Sequence, residues 1–160
     1  MSILETSNIA TLLHPYRNNR STETVSTPKM YFKDTGLMAF LTNWNTPEAM
    51  ASGAASGHFF ETWCVTEIIK SYACHGTEPS IFYFRTKERR PSEIDVVLLE
   101  NNTLYPIEIK KSARLDKADV SQFVKLTPSG MDVGTGALLS LYPSLCHLTE
   151  NVLAIPAIML

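Results

Sequence analysis

The stretch Glu93-Ile94-Asp95-Val96-Val97-Leu98-Leu99-Glu100-Asn101-Asn102-Thr103-Leu104-Tyr105-Pro106-Ile107-Glu108-Ile109-Lys110 decides the fold. Its two halves, Ile94 to Leu99 and Thr103 to Ile109, are rich in β-branched residues, Leu and Tyr, and read as strands. Asn101-Asn102 between them tolerates the positive φ values of a tight hairpin. A two-residue loop places Glu100 against Thr103, Asp95 against Glu108 and Glu93 against Lys110. Pro106 then falls at a non-hydrogen-bonded pair, where its missing N–H breaks no ladder bond.

Strand alternation puts Glu108, Lys110, Val97, Leu99, Leu104 and Pro106 on one face. The other face carries Ile94, Val96, Leu98, Tyr105, Ile107 and Ile109 and is apolar throughout. Two carboxylates opposed on a half-buried face stand about 4.5–5.5 Å apart at Cβ and repel. A divalent cation between them turns that repulsion into binding, and hard oxygen donors suit Mg²⁺ or Mn²⁺. A lysine two residues on can hold a water nucleophile or stabilise a charged phosphorane-like transition state. The same residues also read as a salt-bridged hairpin, with Lys110 neutralising Glu93, Asp95 and Glu108.

Outside the hairpin, 160 residues allow one domain, or one domain with a remnant of another, and 44% hydrophobic residues supply a core. The net charge is −2, but the basic residues cluster. Arg85, Lys87, Arg89 and Arg90 precede the first strand; Lys110, Lys111, Arg114 and Lys117 follow the second. The hairpin makes these clusters neighbours around the carboxylates, a positive rim suited to a phosphodiester, or simply two solvated strand ends. Cys64, Cys74 and Cys146 follow no zinc spacing and fit a reducing cytoplasm. No signal peptide, membrane-spanning run or phosphate-binding Gly-Lys-Ser/Thr loop is present, so no ATP site is expected within this chain.

Along the chain, Ile9–Leu13 reads as a short strand or helix end, His14–Asn19 as a turn, and 20–28 as a Ser/Thr-rich hairpin tip or linker. Residues 1–30 thus read as the tail of a preceding element, and 31–160 as the domain proper. Met30–Phe32 is a strand, Asp34 caps a helix to about Leu41, and 43–52 is a loop or helix lead-in. A longer helix spans Gly57 to Ala73, with Phe60, Cys64, Val65, Ile68, Ile69 and Tyr72 as its apolar face. Ile81–Arg85 is a strand; Asp116–Leu126 is a helix with Val120, Phe123 and Val124 inward; Thr135–Leu141 and Asn151–Pro156 are strands. This order predicts an α/β fold with a mixed central sheet flanked by helices. Trp44 and Trp63 read as core or interface fillers, and His58 as an exposed helix residue or a neighbour of Glu61.

Gly57-x-x-x-Glu61 opening a helix, a strand ending in Arg85, then Glu93-x-Asp95 and Glu108-x-Lys110, resembles the PD-(D/E)XK nuclease superfamily. The layout is similar to that of archaeal Holliday-junction resolvases. The resemblance implies a restriction-endonuclease-like core. Asp95, Glu108 and the Ile109 carbonyl would be metal ligands, Glu61 a helix carboxylate reaching the metal, and Lys110 the residue orienting water. Gln122 would touch phosphate or water. Ser92 stands where the superfamily name has proline; Pro91 lies one place earlier.

A second resemblance covers nearly the whole chain. Pro15-Tyr16-Arg17-Asn18, Pro28-Lys29-Met30-Tyr31-Phe32-x-Asp34-Thr35-Gly36-Leu37 and Gly57-x-x-Phe60-Glu61 look like the uncharacterised C-terminal domain that follows the AAA+ module in predicted bacterial and archaeal ATPases. It implies that residues 1–30 end a winged-helix-like element, with the ATPase module upstream. Three functions follow as expectations: a Mg²⁺- or Mn²⁺-dependent nuclease acting on DNA; a catalytically silent module binding nucleic acid or protein; and a homodimer formed through an edge strand at Val152–Leu160.

Overall fold

A computed structural model of the chain describes residues 3–17, 27–44, 46–128 and 130–160. Asn18, Asn19 and most of the Ser/Thr-rich stretch lie outside the described residues.

A short α1 (Ile3–Thr6) leads to an antiparallel pair, β1 (Ala10–Leu13) and β2 (Lys29–Phe32). A boundary drawn at residue 30 therefore falls inside β2. Leu13 and Tyr31 pack in the same core cluster as Cys64 and Val65, so this hairpin shares the main core. In α2 (Thr35–Leu41) the Asp34 carboxylate accepts the Leu37 amide hydrogen at 2.9 Å, as the cap reading requires. Residues 43–52 contain a short helix, α3 (Pro47–Ser52), capped by Thr46, with Pro47 at a first-turn position that needs no N–H donor. α4 (Ser56–Cys74) follows and stops at Gly76, whose φ of +72° only glycine adopts cheaply. Trp44 stacks on Phe59 and Trp63 on Phe60, as fillers.

The remaining strands form one sheet: β3 (Ser80–Arg85), β4 (Glu93–Glu100), β5 (Thr103–Lys110), β6 (Asp132–Val133), β7 (Gly136–Ser140), β8 (Cys146–Thr149) and β9 (Val152–Pro156). The order is β3-β4-β5-β7-β9-β8, with β6 beside the start of β5. β5, β7 and β9 are parallel; the other neighbours on this path are antiparallel. α4 covers one face through Cys64, Val65 and Ile68 against Val96, Ile107, Ile109 and Leu139. A 3-10 helix (Lys117–Lys125) covers the other, beside Leu138 and Leu104. The architecture is the expected mixed α/β sheet flanked by helices.

Two expectations are corrected. Val124 is 81% exposed. The segment winds as a 3-10 helix with three residues per turn, so Val120, Phe123 and Leu126 share the inner side and Val124 turns outward. β9 is not an edge: it lies between β7 and β8, so dimerisation cannot use a free edge at Val152–Pro156. No helix among the described residues is long and apolar enough to cross a membrane.

Candidate functional site

The hairpin of β4 and β5 is regular at its turn. Asn101 and Asn102 take φ of +49° and +64°, and pairing runs from Glu100/Thr103 to Val96/Ile107 in the register read from sequence. There the ladder ends, and Asp95 and Glu108 do not continue it. The cause lies across β4. Phe82 pairs with Val97 but Phe84 pairs with Ile94, so Tyr83 alone stands against Asp95 and Val96. This is a β-bulge, an extra residue that inverts the alternation beyond it. Ile94, expected beside Val96, instead packs with Val97 and Leu104. Glu93 and Asp95 turn toward β2 and α4, and the Ile109 N–H donates to Asp95 Oδ2 at 2.9 Å.

The bulge gathers a charge cluster. The Lys29 ammonium lies 3.3 Å from Glu61 Oε1 and 3.6 Å from Asp95 Oδ1, and closer still to Glu93. Tyr31 Oη donates to the same Glu61 oxygen at 2.6 Å. Arg85 reaches Glu93 at 3.4 Å. Three carboxylates against two cations leave one net negative charge. Burial, then Glu61, raises the Asp95 pKa against the pull of Lys29 and the Ile109 N–H. Burial alone would lower the Lys29 pKa; Glu61, Glu93 and Asp95 outweigh it, so Lys29 stays protonated. Tyr31 is raised by burial and by Glu61 and remains a donor.

Glu108 stands slightly apart. Its Oε1 accepts from Lys110 at 2.6 Å, while its buried Oε2 has no hydrogen-bond partner among the described residues. Gln122 is near enough to lower the Glu108 pKa, but its Nε2 donates to the Asp119 carbonyl at 2.6 Å. Burial and Asp95 prevail and push Glu108 up to about 7. A cleft of about 280 Å³ opens between α4 and the ends of β4 and β5, lined by Gly57, His58, Glu61, Asp95, Lys110 and Lys111 among others. His58 is largely exposed, with Nδ1 3.9 Å from Glu61 Oε2, so both of its readings hold in part.

The expected basic rim divides. Lys111 lines the cleft and donates to the Ala51 carbonyl. Arg85 is drawn into the Glu93 ion pair. Arg89 and Arg90 line another depression with Glu88, whose carboxylate pairs with Lys125 at 2.9 Å. Lys87 and Arg114 are exposed. In the sequence Lys29 and Tyr31 stand out only as part of a motif. Alternation along a strand, which puts residues two apart on one face, was the signal that could have joined them.

Hard carboxylate oxygens and an orphaned buried Oε2 are the donor chemistry that a Mg²⁺ or Mn²⁺ ion needs, so Glu61, Asp95 and Glu108 fit one in kind. No three His, Cys, Asp or Glu side chains among the described residues stand at ligating spacing. The positive charge in the cluster is that of Lys29 and, on Glu93, of Arg85.

Fold and site define the class: a mixed α/β domain with a charged cleft where its central hairpin opens. The chain belongs to the family described as domain of unknown function DUF4143, whose model matches residues 56–158. A second model, domain of unknown function DUF8612, matches residues 1–48. Glu61, Asp95, Glu108 and Lys110 fall in the first match, Lys29 and Tyr31 in the second, so the two meet at the cluster. No curated protein and no solved structure matches the chain.

Proposed function

We propose that this chain is a PD-(D/E)XK nuclease-like domain of an AAA+ ATPase, hydrolysing DNA phosphodiester bonds with Mg²⁺ or Mn²⁺. One observation carries the reading: a single cleft is lined by Glu61, Asp95, Lys110 and Lys111, with Glu108 held on Lys110 beside it. The ATPase partner rests on the sequence resemblance alone.

Glu61, Asp95 and Glu108 would hold the cation, joined by the Ile109 carbonyl. Bound there, it would activate water and offset charge on the attacked phosphate. The chain's own groups do the rest. Burial alone would lower the Lys110 pKa, but the hydrogen bond and charge of Glu108 raise it, so its ammonium donates to water or a phosphate oxygen instead of abstracting a proton. Lys111 adds positive charge to the same wall, and Arg89, Arg90 and Arg114 supply non-specific phosphate attraction.

A second reading has its own support. A cluster bridged by Lys29 holds together without metal, as suits a silent module that binds DNA or protein beside an ATPase. Cleavage of single-stranded, duplex and branched DNA with Mg²⁺ or Mn²⁺ separates the two. The nuclease reading expects cleavage that Asp95→Asn lowers at least about 1,000-fold, on the order of 4 kcal/mol of transition-state stabilisation. DNA binding by the native chain without cleavage in either metal would leave the second reading.

A further inference from the structure

We infer that Lys29 is the resident counter-ion of the carboxylate cluster, and that a divalent cation enters only by displacing it. The inference rests on the metal reading above and assigns control of metal entry to the N-terminal hairpin. A single ammonium contacts carboxylates from three places in the sequence: Glu61 on α4, and Glu93 and Asp95 on either side of Ile94 in β4. Its contacts with Glu61 and Asp95 use oxygens that a metal would need. A second positive centre at those oxygens would repel it at close range in a half-buried site.

Lys29 is held there by the fold. Its neighbour across the hairpin is Leu13, and residues 14–16 continue onto the free edge of β3. The Tyr83 N–H donates to the His14 carbonyl at 3.0 Å, and the Tyr16 N–H to the Tyr83 carbonyl at 2.6 Å. The Tyr83 hydroxyl donates to the Thr27 carbonyl, and its ring lies 5.3 Å from the Lys29 ammonium. Tyr83 is also the residue opposite the bulge. One side chain therefore ties the strand carrying Lys29 to the irregularity that turns Asp95 toward it. Removing Lys29 leaves Glu61, Glu93 and Asp95 against Arg85 alone, a double negative charge that a divalent ion balances.

The test is Mn²⁺ affinity of the full chain, measured by calorimetry and by the spin resonance of free Mn²⁺. Lys29→Gln is expected to bind Mn²⁺ about ten-fold or more tightly than the native chain. Without metal it should melt lower, and Mn²⁺ should raise its Tm more than that of the native chain. Lys29→Arg keeps the charge and should keep the native affinity; Lys29→Gln with Asp95→Asn should lose the gain. If Lys29→Gln does not fold, Lys29→Gln with Glu93→Gln restores the native charge balance and should still bind more tightly than native. Equal or weaker affinity in the folded Lys29 variants overturns the inference. A failed nuclease reading gives a different result, absent cleavage with the affinity difference intact. No Mn²⁺ binding by any form overturns the metal reading and this inference together.

Discussion

The two ends of the β4–β5 hairpin obey different rules. At the turn, five consecutive pairs keep register, the side chains alternate, and Leu104 and Val97 are fully buried. At the open end the ladder stops, a bulge inverts the alternation, and five charged side chains, Lys29, Glu61, Arg85, Glu93 and Asp95, crowd around β4. The turn end uses local backbone preference and apolar burial, which need nothing from distant residues. The open end survives because opposite charges from distant segments meet there. Apolar burial is concentrated at the first and charge at the second.

The largest expected effect strikes the regular end. Leu104→Ala removes a fully buried side chain and should cost about 2–5 kcal/mol in urea unfolding. A loss below about 1 kcal/mol would mean that the turn end is not the rigid half.

Next comes a pH test of the open end. Glu108 is raised from 4.5 to about 7 by burial and Asp95. Between those values the folded chain binds more protons than the unfolded one, so stability falls as pH rises through this window. It stays low above the window, and Asp95, also raised, acts in the same direction. The shift is worth on the order of 3 kcal/mol, and Glu108→Gln should recover much of it at pH 8 while changing little at pH 4. An unchanged pH profile in that variant would show that Glu108 is not the group responsible.

Tyr31→Phe should cost about 1–3 kcal/mol by removing a donor from a half-buried carboxylate. Its Tm should fall by several degrees without any change in the urea m-value. The smallest effect separates two neighbouring valines on the 3-10 helix. Val124→Ser should stay within about 0.5 kcal/mol, whereas Val120→Ala should destabilise more because its side chain is buried. Equal losses would restore an α-helical periodicity there.

What was legible in sequence was local. Asn101-Asn102, the Pro106 position and the Asp34 cap each depend on a few neighbouring residues, and all appear as read. The gathering of Glu61 with Asp95 followed from a motif layout. The bulge was not legible, because it is defined only by how β3 pairs with β4, and β3 is itself held by residues 14–16. Lys29 was hidden for the same reason: its partners lie 32 and more positions away. The outward turn of Val124 was missed because three and 3.6 residues per turn diverge only after a full turn.

β9, the last strand along the chain, sits inside the sheet while the earlier β8 forms its rim. Synthesis therefore runs against assembly: β7 keeps an unpaired side until the residues through Pro156 have emerged and folded back parallel to it. Until then its N–H and C=O groups offer a pairing template to any neighbouring chain. A ribosome paused before Val152 would present an unfinished sheet. Aggregation during expression should therefore respond more to translation speed over the last strands than to the strength of the finished core.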